Sequence, residues 1–140
     1  MGTRSIVKFY SQYDEESPVC AVYHQYDGYI SGVGWDLAQF LIDKKVINGI
    51  GRDQTMEGGY ANGIGCLAAQ YIKEEKKQIG GCYMVRADSE EEFNYQVRFT
   101  GEKEITISVN YGYGDKRLIF SGTPQQLLDF DEDLEEDLED

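Results

Sequence analysis

Residues 28–34 and 59–65 carry the same phrase, and it constrains both the fold and the place where a ligand can be held. Gly28-Tyr29-Ile30-Ser31-Gly32-Val33-Gly34, followed by Ala38-Gln39-Phe40-Leu41, returns 31 residues later as Gly59-Tyr60-Ala61-Asn62-Gly63-Ile64-Gly65 and Ala69-Gln70-Tyr71-Ile72. Over 14 aligned positions six are identical and four exchange like for like. Each copy reads as a glycine-rich turn with a small polar residue, running into an amphipathic helix. A helix start leaves backbone N–H groups without intrahelical partners, and these groups suit an anion. Two such starts form a candidate pair of anion sites, sharing one cleft or occupying two equivalent ones.

Around this phrase stand the residues a nucleotide-like ligand needs. Gly28, Gly32, Gly34, Gly63 and Gly65 let a backbone approach closely. Ser31 and Asn62 can cap a helix or meet a phosphate oxygen. Tyr26, Tyr29, Trp35 and Tyr60 offer rings for stacking, Asp27 precedes the first turn, and Arg52 on the intervening loop offers charge-assisted contacts. The purely architectural reading stands beside it: both loops make tight turns that bring helix and sheet together, with the tyrosines half-buried in a core.

At 140 residues the chain fits one domain with a core of its own. The net charge of −13 is concentrated at one end: residues 129–140 hold nine acids and no base. With those nine removed from the 26 acids, 17 face 13 bases, so residues 1–128 read as an ordinary α+β domain and 129–140 as a disordered acidic tail. That tail is either a solubilising segment or, through Leu127, Leu128, Phe130, Leu134 and Leu138, one helical face for a basic partner. The three cysteines, Cys20, Cys66 and Cys82, are odd in number and contain no CxxC pair. The N-terminus has no signal-like apolar run, so a reduced, cytoplasmic protein is expected. No apolar stretch approaches the roughly 20 residues that span a bilayer, so no membrane partner is expected.

Along the chain, Ser5 to Ser11 and Pro18 to Tyr26 read as a hairpin. Helices are predicted from Trp35 to Ile47, stopped by Asn48-Gly49, and from Ile64 to Lys77. Strands follow at Cys82 to Ala87, Phe93 to Thr100, Ile105 to Tyr111 and Arg117 to Ser121, with Gly101 to Glu104 as a turn. Thr123-Pro124 starts a short helix as N-cap and first position. The order predicts an α+β fold, an antiparallel β-sheet with the two repeat helices packed on one face.

No catalytic constellation emerges. His24 is the one histidine, and mid-strand it reads as structural or, in an enzyme acting on a nucleotide, as the acid/base partner of Asp27. The cysteines are not spaced for zinc. Gly32-Val33-Gly34 lacks the third glycine and parallel context of a dinucleotide fingerprint. The chain is therefore read as a non-enzymatic binding protein without a cofactor, whose partner is an anionic small molecule at the twin loops. The alternative is an inhibitor that uses the acidic tail and its 11 tyrosines to occupy a host protein's nucleic-acid site. Direct nucleic-acid binding is disfavoured by the charge sign, and a homodimer that extends a pseudo-twofold of the repeats is open.

Met1-Gly2-Thr3-Arg4 running into a strand, and Gln25-Tyr26-Asp27-Gly28-Tyr29-Ile30-Ser31-Gly32-Val33-Gly34, resemble a group of small, largely uncharacterised proteins encoded by phages, large viruses and some bacteria. There a Gly-Thr-Arg start and a Gln-aromatic-Asp-Gly-Tyr-x-x-Gly-x-Gly segment recur. The resemblance spans the first third of the chain. It implies a viral accessory protein acting in the host cytoplasm against host defence, by sequestering a nucleotide signal or by blocking a host protein.

Overall fold

A computed structural model describes residues 2–99 and 104–130. Runs rich in apolar and aromatic residues build β1 (Ser5–Tyr10) and β2 (Cys20–His24) as an antiparallel pair in which Val7 faces Val22. The chain then turns through a single π-turn, Ile30–Gly34, into α1 (Trp35–Leu41). A parallel two-stranded ribbon follows, β3 (Lys45–Ile47) with β4 (Tyr60–Asn62), and β4 leads into α2 (Gly63–Glu75). β5 (Cys82–Val85), β6 (Phe93–Phe99), β7 (Ile105–Tyr111), β8 (Arg117–Gly122) and α3 (Pro124–Leu128) complete the order.

The six-stranded sheet runs β5-β2-β1-β6-β7-β8. The fold is α+β as expected, but the sheet is mixed rather than antiparallel, because β1 and β6 pair in parallel. Two antiparallel triplets, β5-β2-β1 and β6-β7-β8, meet at that central pair, and α1, α2 and the β3-β4 ribbon are inserted between β2 and β5. A second correction concerns the helix expected to run to Ile47. It ends at Leu41, where Lys44 turns back to the Leu41 carbonyl and Lys45 donates to Gly59 O, so the β-branched Val46 and Ile47 join a strand. Gly49, read as a helix stop, has φ +94 in the turn beyond that strand. The Thr123 cap is a full capping box, with Pro124 at the first position.

One sheet face carries the core. Val7, Phe9, Val22, Phe93, Tyr95, Val97, Ile107 and Val109 pack against Leu37 and Leu41 of α1, Leu67 and Tyr71 of α2 and Leu127 of α3. Each such side chain, fully buried, contributes about 1.5–3 kcal/mol. Among the described residues no helix lies over the other face, yet Ile6, Lys8 and Tyr10 are buried there too. Arg98 lies 4.0 Å over the Tyr10 ring, and for Ile6 and Lys8 the reason is the β5–β6 connection. Val85 is level with Ala21 and Lys8, whereas Phe93 is level with Ser5, so residues 86–92 run back over β2 and β1. Phe130 closes the described chain with its ring against Phe120, and residues 131–140 of the acidic tail, like the expected turn at 101–103, lie outside the described residues.

Candidate ligand-binding site

The two copies of the phrase sit at opposite ends of β1. Gly28 lies against Thr3, Arg4 and Ser5, before the strand, while Gly65 lies against Val19, whose N–H bonds Phe9 O near its end. They do not share a cleft.

In the first copy the polar groups are spent internally. Asp27 adopts φ 56, and its carbonyl accepts Val33 N–H. Gly28 N–H donates to Thr3 O, Gly32 and Gly34 N–H to Tyr29 O, and Trp35 N–H to Ile30 and Gly32 carbonyls. Tyr29 donates to the Asp27 carboxylate, and the buried Tyr95 hydroxyl donates to Gly28 O at 2.7 Å. A β-carbon on Gly32 would stand 2.2 Å from Asp27 O, so glycine there is a packing requirement. Ser31, Tyr26 and Trp35 are exposed around this closed knot.

The second copy is built differently. After Gly59 in a turn, Tyr60-Ala61-Asn62 is strand, and the helix begins at Gly63 with φ +84 and open space where a side chain would go. Asn62 does not cap α2; its Oδ1 accepts Gly49 N–H at 2.8 Å and ties the two loops together. On either side of that tie lies a hollow. One, of about 470 Å³, is bordered by Gly63 and Ile64 at the start of α2, by Ser11, Gln12 and Tyr13 after β1, and by Phe99. The other, about 340 Å³, runs along Tyr60, Asn62, Met56, Cys66, Gln70 and Lys73. Both volumes fall in the range of small-molecule sites. Ile47 and Gln54 border both.

Of the expected site residues, this arrangement brings together Tyr60, Asn62 and Gly63. Tyr26, Asp27, Gly28, Tyr29, Ser31, Gly32, Gly34 and Trp35 belong to the other end of the molecule, Gly65 faces outward beyond the hollow, and Arg52 is exposed on its loop and borders neither hollow. Gln12, Tyr13, Gln54 and Phe99 were missed. The acidic, irregular run at 12–17 read only as a hairpin connection, and nothing local links it to a glycine fifty residues later.

His24 is buried on the core face, its Nε2 2.8 Å from Tyr71 Oη, and burial lowers its pKa to about 4. Beyond Tyr71, burial raises Asp36 and Glu75, and the two carboxyls border a hollow of about 460 Å³ with Lys44 and Lys77. His24 is thus neutral and away from solvent near pH 7, and Asp27 is not beside it. Among the described residues no cluster of His, Cys, Asp or Glu is placed to hold a metal ion, and no helix is long and apolar enough to cross a membrane.

The geometry defines an α+β chain with a mixed sheet and a lateral cleft at the start of its longest helix. Comparison with protein-family models, curated proteins and solved structures finds no match.

Proposed function

We propose that this chain is a non-enzymatic binding protein that takes an anionic, nucleotide-like small molecule in the cleft at the start of α2. The observation that supports this reading is the opening of Gly63 and Ile64, the first turn of a 13-residue helix, onto the hollow of about 470 Å³. That end of the helix favours negative charge. Tyr13 and Phe99 supply rings for a base, and Gln12 and Gln54 supply amides for its edge. The phage-type wording of residues 25–34 supports an accessory role in which such binding withdraws a signalling nucleotide from the host.

Isothermal titration against mono-, di- and cyclic nucleotides tests the reading. Tyr13 is 82 % exposed, so Tyr13→Ala leaves the fold intact, and loss of one stacked ring weakens binding by about tenfold. Absence of heat with every nucleotide, or equal heat from the variant, refutes it.

A second reading, a host-protein inhibitor, is supported by one surface. Tyr23, Tyr83 and Tyr26 lie close together beside Arg4, and Tyr113 stands beside Arg4 and Glu91 as well. Tyr26, Tyr83 and Tyr113 are exposed. Tyrosine at this density is typical of interface cores. On this reading a DNA duplex displaces the captured host protein, and Tyr83→Ala with Tyr113→Ala abolishes capture; capture that survives both counts against it.

A further inference from the structure

The smaller of the two hollows beside the Gly49–Asn62 tie differs in chemistry from the cleft at the start of α2. One wall is a face of α2, where Cys66, Ala69, Gln70 and Lys73 stand at i, i+3, i+4 and i+7. The other is the loop before β4, where Ile50 is 72 % and Met56 53 % exposed although both border the hollow. Large apolar side chains left open around a concavity mark a ligand groove. Methionine adapts its shape to what it meets.

Most polar groups along the groove have partners within the chain. Buried Gln70 donates through Nε2 to Tyr60 O at 3.1 Å and to Cys66 Sγ at 3.5 Å. Asn62 Oδ1 accepts Gly49 N–H, and Thr55 Oγ1 accepts Gly58 N–H. The middle of the groove therefore offers apolar contact more than directed hydrogen bonds. Charge is confined to one end. Lys73 is the one charged residue among the described residues that border the hollow, and among the described residues it has no ion-pair partner. The acids that follow it, Glu74 and Glu75, border a different hollow with Asp36 and Lys77. The Gln70–Tyr60 bond sets the Tyr60 backbone beside Gln70, one turn before Lys73, and Lys45 Nζ lies 4.9 Å over the Tyr60 ring. Two cations thus stand near that end.

We infer that this groove is a site for an amphipathic anion, a medium-chain carboxylate, with its chain along Met56, Cys66 and Ala69 and its head at Lys73, separate from the proposed nucleotide cleft. The chain gains by leaving water. The head meets a positive charge that no acid on the groove compensates. Dimensions set the class: Asn62 to Lys73 spans roughly 16 Å along the helix, and about 340 Å³ holds one chain of medium length, not a lipid with two. A nucleotide, polar along its length, suits the other hollow and not this one.

The test is an amide-shift NMR titration of the full chain with octanoate, decanoate and, as the uncharged counterpart, octanol, below their micelle concentrations and at constant ionic strength. Saturable shifts are expected within residues 47–60 and 63–73, with decanoate binding about tenfold more tightly than octanoate. Lys73→Met weakens both carboxylates by about threefold and leaves octanol unchanged. Lys77→Met, the same change of charge outside the groove, alters none of the three. Ala69→Phe fills the groove and abolishes all binding. Ala69 and Lys73 are both exposed on α2, so these variants are expected to fold; if Ala69→Phe does not, Lys73→Met carries the test. Shifts that never saturate or that centre elsewhere, a loss with Lys73→Met that octanol shares, or carboxylate affinities unchanged in the folded variants, overturn the inference.

Discussion

Acidification is expected to weaken this fold through His24, by an amount its burial determines. The ring is buried with its pKa lowered to about 4 from 6.5, and burial is the cause. The unfolded chain therefore takes up the proton first. The stability associated with neutral His24 is fully present above pH 6.5 and is lost as pH falls from 6.5 towards 4. A shift of that size is worth about 3 kcal/mol once both states are protonated, and about 2 kcal/mol of it is lost by pH 5. Two groups oppose it. The Asp36 and Glu75 carboxyls, raised by burial, gain protons more readily in the folded state and stabilise it as pH falls through their range. Comparison with a variant isolates the histidine. His24→Gln keeps an amide within reach of Tyr71 Oη, which lies 2.8 Å from Nε2 in the parent. Urea unfolding at pH 8 and pH 5 then measures the difference, and the parent is expected to lose about 2 kcal/mol more than His24→Gln between them. Equal losses in the two proteins, or a His24 ring titrating near 6.5 by NMR, would refute the reasoning.

The two copies of the repeated phrase should respond oppositely to the same substitution. Gly32→Ala forces a methyl to 2.2 Å from Asp27 O and is expected to cost more than about 2 kcal/mol in thermal unfolding. Gly65→Ala meets only Val19 at 3.9 Å in the first turn of α2 and should stabilise by up to about 1 kcal/mol. Ser5→Ala removes a buried hydroxyl with no hydrogen-bond partner, and a gain of about 1 kcal/mol in the free energy of urea unfolding is expected; a loss would mean that the hydroxyl is satisfied. Lys76 donates to Gly80 O and Cys82 O, covering an outward carbonyl of edge strand β5. Lys76→Ala should therefore make the protein associate at high concentration in sedimentation experiments.

Most strands and helices could be read from the sequence because their signals are local. Ile105 to Tyr111 alternates as a strand with one polar face, and Thr123-Pro124 spells a helix start that the structure repeats atom for atom. What could not be read is pairing. Strand patterns say that β1 and β6 exist, but the parallel match of Ser5 with Phe93 depends on how the 82 residues from Tyr10 to Phe93 return the chain, which no local window holds. Val46 and Ile47 failed for a related reason. At helical spacing from Leu41 they fit a helix face as well as a strand, and the deciding partner, Tyr60 to Asn62, lies in a stretch too short to register as a strand.

The repeat itself shows how identical letters come to mean different things. At the first copy the π-turn makes Leu37, Ala38 and Leu41 the buried stripe; at the second, the strand before Gly63 rotates the helix so that Leu67, Ala68 and Tyr71 face inward. Asp36, exposed, aligns with Leu67, fully buried, and that exchange is the residue-level trace of the rotation. The two copies therefore make no pseudo-twofold surface. Gly32 serves close backbone approach and Gly63 a left-handed φ, and only the second requirement leaves the helix start open to a cavity. Alternation along β1 assigns Lys8 to the wetter face, where a lysine is ordinary, yet the residue is buried. The return of residues 86–92 over that face covers its stem, and that path follows from the register of β5 and β6, not from any residue within β1.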